Sequence, residues 1–233
     1  GVYASAVHAG WVGPDGREII KALAVASEPE IFWRGEDAAS IIRGISVPEG
    51  LGRLEEPSRQ FNGPSGLALD EFFLTPLGLE RSDAWLCDLV PHSCMNPAQR
   101  RAIERSYLPL VEEYDLPKVS VPEVPRKLSD ESRRQAILEE IQESQADVLI
   151  LLGDQPIQWF LRFHDTRWRR LSDFGAEPQA YGRVYDVTIG GTRMGILPLA
   201  HPRQVARLGR SSPVWYHLHQ SWLDEVAAHL FEG

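Results

Sequence analysis

Cysteine is almost missing from this chain. Its two thiols, Cys87 and Cys94, are too few to ligate an iron–sulfur cluster or to close a structural zinc site between them. They are expected as reduced core thiols in a cytoplasmic setting. Lysine is scarce as well: of 24 basic residues only Lys21, Lys118 and Lys127 are lysines, and the rest are arginines, which suit bidentate contacts to phosphate. Positive charge is in deficit overall. The net charge of −9 counts against a broad non-specific nucleic-acid surface, which should be basic, but leaves room for a local basic rim. No apolar run approaches the roughly 18 residues of a membrane span, and the first residues show no charged-then-apolar export pattern, so no membrane partner is expected. Repeats and low-complexity tracts are lacking. So are a Gly-x-Gly-x-x-Gly fingerprint, a P-loop and a His-Glu-x-x-His spacing among the seven histidines, which leaves no motif for a bound metal or dinucleotide.

What is present is an ordinary globular balance, 43% apolar and 24% charged over 233 residues, read as one domain over 1–233. Ile19 to Ala26 is a short apolar, β-branched run stopped by Ser27-Glu28-Pro29. Ala84 to Val90 reads as a second strand closed by Pro91. Asn96-Pro97-Ala98-Gln99 is a helix start, with an Asn cap, Pro at the first helical position and Gln placed to complete a capping box. A helix is expected from Ser129-Asp130-Glu131 to about Gln145. Asp147 to Leu152 is the clearest central strand, followed by Gly153-Asp154 and another helix. Val184–Ile189 and Met194–Leu199 read as strands joined by Gly190-Gly191, a hairpin signal. Trp215, Leu218, Trp222, Val226 and Leu230 repeat at helical spacing. Strands alternating with helices predict an α/β fold with a mostly parallel sheet, whose ligands bind at the carboxyl ends of the strands. The residues after each strand therefore form one set: Ser27-Glu28-Pro29, Asp88 to His92, Gly153-Asp154 and Ala200-His201-Pro202. The arginines of 162–170, with Trp159 and Trp168, read as exposed helix and loop rather than a binding stripe.

Read together, these segments resemble the uracil-DNA glycosylase superfamily from about residue 20 to 225. ASEP stands where the family has a Gly-Gln-Asp-Pro or Gly-Glu-Ala-Pro turn. Phe61-Asn62-Gly63-Pro64-Ser65-Gly66-Leu67 is like the family's Phe-x-Gly-x-x-Gly-x segment. WLCDLVPHSC resembles the strand and loop that carry a base-reading asparagine, DVLILLGDQPIQWFL the central strand–Gly–helix unit, and LPLAHPRQVARLGR the late His-Pro motif. The resemblance implies a three-layer α/β/α domain with a central, mostly parallel four-stranded sheet. It implies DNA as partner, a base extruded into a pocket, hydrolysis of the N-glycosidic bond and no cofactor.

The resemblance also implies roles. Glu28 aligns with the catalytic aspartate of the Gly-Gln-Asp-Pro version and would orient water; in the Gly-Glu-Ala-Pro version the acid falls at Ser27 instead. His201 would stabilise charge on the leaving base, and Phe61 would stack on it. Asp88 replaces the asparagine: ionised it only accepts hydrogen bonds and favours an amino group, and protonated in a dry pocket it would donate. His92 stands four residues further on. Arg203, Arg207 and Arg210 would hold phosphates, with Leu208 as a wedge between bases. Two readings follow: a monofunctional glycosylase for a damaged or unusual base, or a catalytically silent protein of the same fold that binds a nucleotide, modified base or protein partner. Ser27, Asp88 and the acidic charge favour the second; Glu28, His201 and the arginine loop favour the first.

Overall fold

The computed structural model describes residues 6–208 and 212–231, which form a mixed α/β chain gathered into two compact units. One unit comprises residues up to 67 together with 91–126; the other comprises 68–90 and 127 onward.

The first unit is built on an antiparallel sheet. Strand β1 (Ala6–Val12) pairs with β2 (Glu18–Ser27) through a turn at Pro14-Asp15-Gly16, where Gly13 N–H reaches the Arg17 carbonyl at 2.8 Å. Short β3 (Arg53–Glu55) covers part of the other edge of β1, giving the order β2-β1-β3. Val7, Ala9 and Trp11 alternate along β1 and are buried, as one face of a strand over a core must be. Val7 and Ala9 pack with Trp33 and with Ala38 and Ile42 of helix α1 (Ala38–Arg43). Trp11 packs with Ile20, Leu23, Leu51 and Ile103, its indole N–H donating to the Leu51 carbonyl at 2.7 Å.

Two amide side chains finish this sheet. Where β3 falls short, Asn62 pairs with His8 of β1 like a strand residue, accepting from its N–H at 2.8 Å and donating to its carbonyl at 2.9 Å. On the outer edge of β2, Gln99 accepts from Ala24 N–H at 2.9 Å and donates to the Ala22 carbonyl at 3.0 Å. Each satisfies edge groups that would otherwise be open to another strand. Helix α2 (Pro64–Leu69) begins just after Asn62. Its Gly66 lies so close to the preceding segment that a β-carbon there would sit 2.2 Å from the Phe32 carbonyl oxygen. Helix α3 (Pro97–Ala102) starts as expected, with Asn96 accepting from the amides of Ala98 and Gln99, both at 2.9 Å. The capping box is not made, because the Gln99 amide is spent on β2. Helix α4 (Leu108–Val111) follows.

The second unit holds the remaining sheet, in the order β4-β6-β5. β4 (Val148–Leu152) runs parallel to β6 (Thr192–Leu199), and β5 (Tyr185–Ile189) pairs antiparallel with β6 across the Gly190-Gly191 hairpin. Helix α5 (Glu131–Ser144) is capped by Asp130, which accepts from Arg133 N–H at 2.8 Å. Helices α6 (Asp154–Trp159), α7 (Pro202–Val205) and α8 (Pro213–Glu225) complete the unit. Leu218 and Trp222 of α8 are buried, while Val226 leaves helical geometry and ends the stripe read from the sequence.

The expected four-stranded, mostly parallel sheet is replaced among the described residues by two three-stranded sheets with one parallel pair. Two local causes account for the difference. The 19–26 run finds its partner in 6–12 through a tight turn, which makes it half of a hairpin. The Ala84–Val90 run joins no ladder. Its backbone is met by a side chain instead: Arg133 of α5 donates to the Asp88 carbonyl at 2.6 Å while its other arm pairs with Glu140 at 2.8 Å.

Candidate functional site at the ends of the strands

The carboxyl ends of the parallel pair lie side by side in the second unit. Gly153 follows β4 and donates its N–H to the Leu199 carbonyl at 2.8 Å. A β-carbon on Gly153 would stand 3.1 Å from that of His201, tighter than an ordinary contact, so the glycine lets the two strand ends close up. Asp154 is occupied: its carboxylate accepts from Leu171 N–H at 2.7 Å and anchors the 171–174 turn.

His201 is the N-cap of α7, with Pro202 at the first helical position. Its Nδ1 accepts from Arg203 N–H at 3.1 Å. A ring nitrogen that accepts carries no proton, so Nε2 holds the hydrogen and is the donor of the neutral ring. Burial above all, with the Arg203 guanidinium acting in the same sense, pushes the His201 imidazole down to about 4. The ring is therefore neutral throughout the physiological range. The preceding Ala200 is buried, and its N–H donates to the Tyr181 hydroxyl at 2.8 Å.

Asp88 belongs to the same unit and is half-buried. Burial raises its carboxyl above the usual value, against the pull of the Val90 and Leu89 amides and the Arg133 guanidinium. That direction favours the protonated, donating form. Neighbouring Cys87 is pushed up to about 12 by burial and by Glu140, so it is a thiol rather than a thiolate nucleophile.

The arginine loop follows α7. Arg203 and Arg207 are exposed, and the Arg207 guanidinium lies 4.4 Å from the Tyr216 ring centroid. Leu208 is half-buried and its N–H reaches the Arg203 carbonyl at 2.9 Å. Gln204 accepts from Ser212 N–H at 2.5 Å, tying the far side of the loop. Arg210 lies outside the described residues. The arginine–tryptophan stretch of 162–170 is structural: Trp168 is buried, stacked 4.5 Å from Phe174, and Arg167 and Arg170 pair with Asp165 and Asp173.

In the first unit, Ser27 is the exposed last residue of β2 and Glu28 is half-buried just beyond it. Phe61 is half-buried, 6.3 Å from the His8 ring, with the Lys21 ammonium 5.9 Å from its centroid. Asn62 fixes this loop through its bonds to His8. His92 is exposed, with Nδ1 3.2 Å from the Ser93 carbonyl. A cavity of about 450 Å³ lies within this unit, walled largely by apolar residues such as Leu23, Val47, Met95, Ile103 and Val119. Of the predicted site residues it reaches Ser27; Glu28, Phe61 and His92 do not line it.

Sequence reasoning missed Tyr181 and His219, which support the strand end at Ala200. His219 was legible in principle: it occupies the buried face of α8 with Leu218 and Trp222, one step along the same stripe. Among the described residues no three or more His, Cys, Asp or Glu side chains gather as metal ligands, and no helix is long and apolar enough to cross a membrane.

Compared with known families, residues 54–220 match the sequence model described as the uracil DNA glycosylase superfamily, well over half of the chain. Phe61, Asp88, His92, His201 and the arginine loop fall inside the matched range; Ser27 and Glu28 fall before it. No curated protein matches the chain.

Proposed function

Since the chain belongs to the uracil DNA glycosylase superfamily, we propose that it is a DNA glycosylase that hydrolyses the N-glycosidic bond of a flipped-out, damaged or unusual base. The observation that carries this reading is the neutral His201 imidazole at the end of β6, with Nδ1 accepting from Arg203 N–H and the ring proton on Nε2. As the bond between sugar and base lengthens, electrons gather on the base. A fixed neutral donor stabilises that charge without first having to lose or gain a proton. On this reading the Glu28 carboxylate serves the same reaction by orienting water and stabilising the sugar cation. Ser27 and His92 border the base, and Phe61 stacks on it. Asp88 selects among bases: its burial favours the protonated carboxyl, which donates to a ring carbonyl. Arg203, Arg207 and Arg210 hold phosphates, Leu208 enters the stack, and the chain works as one catalytic domain whose basic contacts are local.

The test is incubation with single- and double-stranded oligonucleotides carrying uracil, hypoxanthine, xanthine or modified cytosine, followed by alkali. Strand scission that is lost in Glu28→Ala and in His201→Ala is the expected result. The second reading, a catalytically silent binder of the same fold, is favoured by Ser27 and Asp88 at positions where the family has other residues, and by the net charge of −9. Tight binding with no scission on any oligonucleotide would establish it.

A further inference from the structure

A directional chain of hydrogen bonds runs through the core of the second unit and ends one residue before His201. His219, on α8, is fully buried. Its Nε2 lies 2.8 Å from the Phe72 carbonyl oxygen. A carbonyl only accepts, so Nε2 carries the proton and Nδ1 is a bare acceptor. The Tyr181 hydroxyl, 2.8 Å from that Nδ1, must then donate to it. The same hydroxyl oxygen accepts from Ala200 N–H at 2.8 Å. Every bond has one direction, and Tyr181 cannot turn without orphaning two buried partners. The ring of His219 lies 4.6 Å from that of Phe73 and 5.0 Å from that of Trp222, whose indole N–H holds the Gly182 carbonyl at 3.1 Å.

We propose that Tyr181 and His219 are positioning residues that fix the backbone at Ala200 and thereby hold the His201 ring in its Nε2–H donor form. The role rests on the glycosylase reading of His201. Ala200 is the last buried residue before the helix that His201 caps, so its amide sets the angle at which the imidazole leaves the sheet. The chain keeps one pattern at working pH. Burial holds His219 down at about 4 and keeps the Tyr181 hydroxyl above its ordinary value, so both remain neutral. The Arg203 guanidinium acts on His201 in the same sense, favouring its neutral ring.

The experiment is long-range proton–nitrogen NMR of the histidine rings in the whole protein, with base release measured on the same samples. In the parent protein His201 and His219 should each show a single Nε2–H tautomer near pH 7. In Tyr181→Phe the Ala200 amide loses its acceptor. His201 should become a mixture of tautomers, its titration midpoint should rise by roughly one pH unit, and kcat should fall by roughly 10- to 100-fold with little change in KM. Ile196→Val, in the core of β6, should lower thermal stability and leave the His201 signals alone. Should Tyr181→Phe fail to fold, His219→Leu is read in the same way, and His219→Asn, whose amide oxygen can stand in for Nδ1, should restore the parent signals. An unchanged His201 tautomer and midpoint in whichever variant folds overturns the proposal. A parent protein that releases no base removes the glycosylase reading instead, and the ring spectra still decide the positioning role.

Discussion

Two strand ends in this molecule carry the same short text, a polar residue and then proline, and they are built differently. Ala200-His201-Pro202 closes β6, the central strand of its sheet, beside the parallel strand β4. There the chain is held on both sides, by Gly153 on Leu199 and by Tyr181 on Ala200, and the imidazole is locked in one tautomer. Ser27-Glu28-Pro29 closes β2, the outer strand of an antiparallel hairpin, and precedes the segment matched to the family. A parallel neighbour gives a strand end a second strand end to lean on, as in sheets that bind ligands at their carboxyl edge; a hairpin edge offers none. On the glycosylase reading, the donor stands between two neighbouring strand ends and the carboxylate at the end of an outer strand.

Substitutions at the two strand ends and around them probe the contrast. The largest effect is expected at the β6 end: His201→Ala should lower single-turnover base release about 100- to 1,000-fold, the usual loss for one removed transition-state donor. Glu28→Ala, measured alongside, should fall by a comparable factor if the β2 end supplies the carboxylate. A loss under about tenfold would mean that the water is oriented by another group. Gly66→Ala should be the most damaging change to the first unit, because its new methyl meets a backbone carbonyl at 2.2 Å with nothing flexible to yield. A cost of about 2–3 kcal/mol in urea unfolding is expected. Asn62→Ala should cost about 1–2 kcal/mol, since it orphans the N–H and carbonyl of His8. It should also loosen Phe61, seen as weaker binding of an abasic-site duplex at unchanged kcat. The smallest effect belongs to the exposed loop. Arg207→Ala should weaken DNA binding about equally for all sequences and lower the salt-dependence slope by about one.

Much of the fold was legible where one signal decided the outcome. Asn96-Pro97 set the start of α3, Asp130 the start of α5, and Gly190-Gly191 the hairpin between β5 and β6, because caps and tight turns are local chemistry. The rest depended on partners distant in sequence. AWLCDLV has strand composition, yet Arg133, some 45 residues on, takes the role a neighbouring strand would have played. Gln99 was well spaced for a capping box and instead serves the edge of β2. In the candidate site, His201 was singled out from a strand end, a proline and the resemblance to the family's His-Pro motif. The relay behind it was not, because a buried histidine among Leu218 and Trp222 looks like core until its two nitrogens are followed to Tyr181 and Phe72.

The pH profile of single-turnover base release decides whether His201 acts as a neutral donor. With the imidazole held down at about 4, the ring is largely neutral between pH 5 and 8. A neutral donor gives no inflection from His201 in that window; the contribution of His201 is lost only as the pH falls toward 4 and the ring takes up a second proton. A rate that instead declines as the pH rises through 6 to 7, and loses that decline in His201→Ala, would identify an imidazolium acid and contradict it.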